Sequence, residues 1–316
     1  MKNVFNDFLI DLNSIFQYSN LKEIKLLSKR IIHTNHIYIC KSDNGKKEFV
    51  IKFYKTEDIM EKERFCNTYL ENKGLCVPKI ISYNKSPRPY VIMNKINGKK
   101  PYRKDISKRI KDLAKVHIES LKDIHLNSII PKLTKENRIK SIERDIKILR
   151  SNPLIKRDYL NRFNSFIDTS KEIDYGLWEQ CFCFNDFFIN NSIKDKNNIY
   201  YFDFEKAVVS SPFVDVGCVV IDYPQAYTKI KSLYIKNIML NLKAKKIYRI
   251  RDYLFNLGLF VDLGICEKVI EDAAFLSDSN IKKTKDNDFC KKLAKRKIES
   301  VLFIFDNLKN KLLEGK

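Results

Sequence analysis

The feature that most limits what this chain can fold into is a change of apolar period near Gly98. Before that point, after a first helical stretch, residues 31–40 (IIHTNHIYIC) and 47–54 (KEFVIKFY) read as strands, joined by the turn signal Ser42-Asp43-Asn44-Gly45. Residues 57–71 then place Ile59, Glu63, Cys66 and Leu70 on one face of a helix. Pro78 precedes two further strand-like runs, 79–84 and 90–96, which end at Asn97-Gly98. Beyond Gly98 the period becomes helical. Ile106, Ile110, Leu113 and Leu121 mark one helix; Ile139, Ile142, Ile146 and Leu149 mark another; Ala294, Ile298, Val301, Phe305, Leu308 and Leu312 form a sustained stripe. A strand-rich island from Cys181 to Ser210 interrupts the helices. The layout predicts an α+β protein: a small antiparallel sheet with one helix over residues 1–95, and a larger, mainly helical part over 96–316.

Composition agrees with a folded chain of about two domains, since 316 residues with 44% apolar and 31% charged content suffice for a large core. No apolar run reaches the roughly 20 residues that span a bilayer, and Asp7 and Asp11 interrupt the N-terminal stretch, so we expect a cytoplasmic protein without a membrane partner. The eight cysteines lack the spacing of a disulfide framework, and Cys181-x-Cys183 has no second pair at zinc-site spacing. Reduced, mostly buried thiols are expected. The formal net charge of +21 is spread along the chain nearly in proportion to length. Its densest clusters, at 243–251 and 291–297, read as solvated helix faces, so nucleic acid is not an expected partner. The charge favours anionic ligands such as nucleotide phosphates and disfavours polycationic ones.

Individual charges carry more information than their sum. In KEFVIKFY both faces of the strand read as buried, so Lys52 needs a partner or an anionic ligand. Glu63 sits on the apolar stripe of the following helix. Either the two pair between strand and helix, leaving the lysine free to hold phosphate oxygens, or Lys52 snorkels from an edge strand while Glu63 lies at the stripe's margin. In the island, Asp186 and Asn191 stand five residues apart in apolar surroundings, and Asp203 follows on the next strand. A carboxylate to accept a proton and hard oxygen ligands for Mg²⁺ are what phosphoryl transfer requires; an Asx-turn and an exposed strand aspartate are the plainer account.

Taken in order, these stretches resemble the aminoglycoside phosphotransferase and choline kinase superfamily, which has a protein-kinase-like bilobal fold. Its catalytic loop, HGDxxxxN, corresponds to FNDFFINN (184–191), and its metal loop, DWE or DFE, to YFDFEKA (201–207). FVIKFY around Lys52, YVIMNKINGK (90–99), DLAKVHIESL (112–121) and PFVDVG (212–217) match in the family's order. The resemblance implies an ATP- or GTP-dependent phosphotransferase that uses Mg²⁺ and a small-molecule hydroxyl acceptor. Residues 1–95 would be its nucleotide-binding lobe, and 96–316 would carry the catalytic loop and substrate site. Lys52 would hold the α- and β-phosphates, positioned by Glu63. Asp186 would be the catalytic base, and Asn191 and Asp203 the metal ligands, with Glu205 a weaker candidate. The backbone around Met93 to Lys95 would contact adenine, and Asp215 would brace the catalytic loop.

Two departures accompany the resemblance. The family's His-Gly before the aspartate is Phe184-Asn185, so the orientation of Asp186 must come from elsewhere. The nucleotide-covering turn near residues 33–41 has no glycine, leaving Thr34 and Asn35 to serve there. These departures motivate an alternative, a weakly active or non-catalytic relative similar to kinase-like spore coat proteins. None of His33, His36, His117 and His125 has metal-pair spacing, and no catalytic role is assigned to them. The segment 165–180, with several carboxylates and Trp178, reads either as a face for a cationic acceptor or as a solvated connection.

Overall fold

A computed structural model describes residues 24–32, 35–42, 48–86, 88–121, 123, 126–244, 256–278, 287–306 and 308. The chain divides into two compact units, one formed by residues 1–100 with 190–205 and the other by 101–189 with 206–316.

The first unit is built on a five-stranded antiparallel sheet in the order β1-β2-β3-β5-β4. Its strands are β1 (Ile24–Ile32), β2 (Asn35–Ser42), β3 (Glu48–Phe53), β4 (Ile80–Asn84) and β5 (Tyr90–Asn94). Of the stretch ahead of residue 31 that reads as helical, residues 1–23 lie outside the described residues and the part from Ile24 onward is a strand, while the single strand expected over 31–40 is divided between β1 and β2. The physical reason is local pairing: β1 runs antiparallel to β2 from Ile24 opposite Ser42 to Ile32 opposite Asn35, which satisfies backbone groups that a short amphipathic pattern leaves ambiguous. β3 lies at the centre, so Lys52 is not on an edge. One face of the sheet buries Tyr38, Cys40, Phe49, Ile51, Phe53, Tyr90 and Ile92. The opposite face packs Tyr54, Val91 and Met93 around Met60 of α1 (Glu57–Asn72). Glu63, Cys66 and Leu70 are buried on α1 as its period requires.

A second hairpin, β7 (Ser192–Asp195) with β8 (Asn198–Tyr201), belongs to this unit although roughly a hundred residues separate it from β5. Three backbone hydrogen bonds account for this. Lys99 and Lys194 exchange two, at 3.0 and 2.7 Å, and the Tyr201 N–H donates to the Cys76 carbonyl at 3.0 Å. Gly98 permits the approach: a Cβ there would lie 2.2 Å from the Lys194 carbonyl oxygen.

The second unit consists of helices around a two-stranded ladder of β6 (Cys181–Cys183) and β9 (Val208–Ser210). In chain order the helices are α2 (Ile106–Ser120), α3 (Lys135–Arg150), α4 (Arg157–Glu172), α5 (Phe213–Asp222), α6 (Tyr227–Ala244), α7 (Leu257–Ser277) and α8 (Asn287–Glu299). α7 is buried on nearly every side, and its buried charges are paired: Asp262 with Lys231 and Tyr227, and Glu267 with Arg138. Gly264 lets α5 approach α7, since a Cβ would fall 2.3 Å from the Phe213 carbonyl carbon.

Ala294, Ile298, Val301, Phe305 and Leu308 are buried as the terminal stripe requires, and Leu312 lies outside the described residues. Lys292 and Arg296 of the basic cluster on α8 point to solvent, whereas the side chains of the 243–251 cluster lie outside the described residues. Trp178 is 1% exposed and packs against Phe213, ring centroids 5.5 Å apart, so it offers no face to a cationic acceptor. The segment's indole went into the core because that is where its large apolar surface is worth most. All eight cysteines are free, and burial pushes the Cys181 and Cys183 thiols up. Among the described residues no helix is long and apolar enough to cross a membrane.

Candidate active site

Lys52 lies at the middle of a charge cluster built entirely within the first unit. Its ammonium is 2.7 Å from Glu63 Oε2 on α1, 2.8 Å from Asp203 Oδ1 and 2.5 Å from Glu205 Oε1, both just beyond β8. The Tyr54 ring lies 5.2 Å from the ammonium. Of the two accounts open at the sequence level, the strand-to-helix ion pair is the one found. Burial by itself pulls the Lys52 ammonium down, but Glu63, Tyr54, Asp203 and Glu205 together hold it well above its ordinary value. Glu63 is raised too: burial, reinforced by Asp203 and Glu205 against the pull of Lys52, pushes its carboxyl up to about 7. Both shifts have one origin, an excess of carboxylates over cations in a poorly hydrated place.

That excess bears on what the cluster can hold. Single oxygens of Glu63, Asp203 and Glu205 all lie within 4.8 Å of one another. Hard carboxylate oxygens in surplus negative charge are the donor set Mg²⁺ takes, and the lysine among them suits phosphate oxygens. Asp203 has a left-handed backbone, φ 70°, a conformation aspartate adopts more readily than most residues.

Met93 is buried on β5 and, with Tyr54, Glu63, Val91, Phe202 and Phe204, lines a recess beside the cluster. The Lys95 backbone N–H donates to the Glu48 carbonyl at 3.3 Å, and its ammonium pairs with Glu48 at 2.5 Å. Asn191 lies just ahead of β7, and its carbonyl accepts from the Phe202 N–H at 3.2 Å, so it sits one hydrogen bond from the chain entering Asp203. Thr34 is outside the described residues, as is the side chain of Asn35, whose backbone opens β2.

Asp186 lies in the second unit, on the loop leaving β6. Phe184 fills an apolar space between Phe182 and Phe187, with centroids 5.2 and 4.8 Å away. Asn185 has φ 57°, which explains why glycine suits this position and why asparagine can replace it. Asp215 of α5, wholly buried, accepts both flanking amides, Phe184 N–H at 2.8 Å and Asn185 N–H at 2.7 Å. His117 Nε2 is 3.2 Å from Asp215, and its Nδ1 is 2.7 Å from the Tyr234 hydroxyl, so this histidine supports the brace. Further along, Arg109 donates to the Phe187 carbonyl at 2.6 Å and pairs with Asp222, which accepts the Ile189 N–H at 2.7 Å. The orientation no longer supplied by a histidine at 184 therefore comes from backbone contacts on either side of Asp186.

The sequence pattern of the phosphotransferase enzyme family matches residues 33–229. The chain belongs to that family. Solved structures agree on the fold. Choline kinase from Cryptosporidium parvum superposes with a TM-score of 0.66 at 16% identity, over 96% of this chain and 97% of that one. Ethanolamine kinase from Plasmodium vivax gives 0.61 at 15%, over 95% and 89%; a spectinomycin phosphotransferase in complex with ADP and spectinomycin gives 0.60 at 12%, over 93% and 98%. No curated protein sequence matches. The expected superfamily and its α+β, kinase-like fold are thereby established.

In this phosphotransferase-family chain, several residues around Asp186 escaped the sequence reading. Lys268 of α7, 2% exposed, donates to the Asn185 carbonyl at 2.8 Å and pairs with Glu271 at 2.9 Å. Burial pulls it down, yet Cys218, Glu271 and Asp186 hold it above its ordinary value. A signal existed for Lys268 and Arg109: each is a cation on an apolar helix stripe, as Glu63 is an anion on one. Lys206, whose ammonium lies 3.2 Å from Asp186 Oδ2, gave no such signal.

Proposed function

We propose that this chain is an Mg²⁺-dependent phosphotransferase that moves the γ-phosphoryl group of ATP or GTP to a hydroxyl of a small molecule. The observation that carries the reading is the cluster of Lys52 with Glu63, Asp203 and Glu205. Magnesium, when bound, would neutralise phosphate charge and fix the phosphoryl group for in-line attack. Asp203 and Asn191 are the ligands we assign to it, with Glu205 beside them. Lys52, kept in register by Glu63, holds α- and β-phosphate oxygens. Backbone groups from Met93 to Lys95 contact the base, and Thr34 with Asn35 cover the phosphates. Asp186 accepts the proton of the acceptor hydroxyl. In this reading residues 1–95 are the nucleotide-binding lobe, extended by the β7–β8 hairpin, and 96–316 carry the base and the acceptor site.

The structural relatives act on choline, ethanolamine and spectinomycin, as their names state. A net charge of +21 opposes polycations, so we place amino alcohols and neutral polyols ahead of polyamine antibiotics as acceptors. The test is ADP release from Mg·ATP with choline, ethanolamine, sugars, nucleosides and aminoglycosides offered in turn, alongside calorimetric titration of Mg·ATP. Acceptor-stimulated release supports the reading. Nucleotide binding without turnover into any acceptor or into water would favour a non-catalytic relative instead.

A further inference from the structure

The loop from Asp186 to Asn191 reads Asp-Phe-Phe-Ile-Asn-Asn and contains no cation. A phosphoryl group passing beside a proton-accepting carboxylate needs positive charge nearby, because the negative charge on the transferring group spreads over its oxygens. In the second unit that charge is at hand. The Lys206 ammonium lies 3.2 Å from Asp186 Oδ2, with the lysine side chain 56% exposed and the aspartate 18%.

We infer that Lys206 is a further catalytic residue, one that moves from Asp186 onto the transferring phosphoryl oxygens. The inference rests on the phosphotransferase reading above. An acceptor oxygen within hydrogen-bond reach of Asp186, about 3 Å away, stands about 3–3.5 Å from the phosphorus it attacks. A lysine already on the carboxylate reaches those oxygens by rotating its own flexible stem. Lys268 cannot do the same, for it is buried and held by the Asn185 carbonyl and Glu271.

The step itself supplies the selectivity. The acceptor oxygen forms a bond to the γ-phosphorus, and the bond from that phosphorus to the β,γ-bridging oxygen breaks. The electron pair of the broken bond leaves on ADP, and the hydroxyl proton passes to Asp186. As Asp186 takes that proton it loses the charge that held Lys206, while the oxygens in flight keep theirs. Lys206 therefore favours the transition state over the resting complex, which raises kcat more than nucleotide affinity.

The experiment compares the full-length wild type with Lys206→Met and Lys206→Arg. It measures ADP release from Mg·ATP, into water and into the amino alcohols above, Mg·ATP affinity by calorimetry, and thermal unfolding. Lys206→Met is expected to lower kcat by about 10²–10³-fold with Mg·ATP affinity within about threefold and unfolding unchanged, and Lys206→Arg to recover at least tenfold of the loss. Wild-type turnover in Lys206→Met, faster turnover, or a loss of affinity as large as the loss of rate would each overturn the inference while leaving the phosphotransferase reading intact. A wild type that binds Mg·ATP and never turns it over sinks both.

Discussion

The two charged regions of this protein are built on opposite plans. Around Lys52 one cation faces the three carboxylates of Glu63, Asp203 and Glu205. Around Asp186 one carboxylate faces Lys206 directly and Lys268 through the Asn185 carbonyl, while Asp215 and Arg109 hold the neighbouring backbone. The first arrangement is short of positive charge, so it is suited to receive a metal ion. The second balances Lys206 and Lys268 against Asp186 and Glu271, so it is suited to let Lys206 meet phosphate charge once Asp186 has taken a proton. On the proposed reading a binding centre and a reacting centre need different electrostatics, and the two clusters would supply one each.

The largest test of this contrast removes the cation from the acidic cluster. Lys52→Met leaves the three carboxylates uncompensated; we expect about 3–5 kcal/mol lower stability in denaturant, reduced by whatever protonation Glu63 takes up, and at least a tenfold loss of Mg·ATP affinity. Retention of both would mean that the cluster is not the nucleotide site. Lys268→Met probes the other region. There we expect turnover to fall about 10–100-fold with Mg·ATP affinity kept, because the loss is of loop position and not of a phosphate contact. Should affinity drop together with rate, the division between the regions is wrong.

The regions also differ in how readable they were. Lys52 and Glu63 each break an apolar period, on β3 and α1, so periodicity marks both as candidates for a pair, and the central place of β3 decides for it. The Asp186 loop offers only a motif and the Asp215 brace that the resemblance implies, because the other side chains that hold it come from Arg109 and Lys268 on two distant helices, and a single sequence does not encode which helices meet. The same limit hid β1, whose strand character depends on pairing with β2, and placed the β7–β8 hairpin in the first unit through Gly98. At Phe184-Asn185 backbone geometry explains the departure: position 185 needs a left-handed conformation, not specifically glycine.

That explanation can be sharpened by smaller effects. Asn185→Gly is expected to leave stability within about 0.5 kcal/mol, whereas Asn185→Val, β-branched at a left-handed φ, costs about 1–3 kcal/mol by chemical unfolding. Equal stabilities would show that φ at this position is not what selects the residue. A subtler effect belongs to the acidic cluster. Glu63, raised to about 7 partly by Asp203 and Glu205, is partly protonated at neutral pH. A divalent cation on its neighbours removes the repulsion that raises it, so its pKa falls and a proton leaves. Titrating Mg²⁺ alone at pH 7 in buffers of different ionisation enthalpy is expected to register release of up to about half a proton per chain. Proton uptake would reverse the assigned electrostatics.

The contrast between a centre that binds and a centre that reacts is tested most directly at Asp186. Single-turnover ADP release by Asp186→Asn, measured beside calorimetric Mg·ATP affinity, is expected to fall by about 10²–10⁴-fold with affinity unchanged. Turnover equal to the wild type's would contradict the assignment of Asp186 as the base.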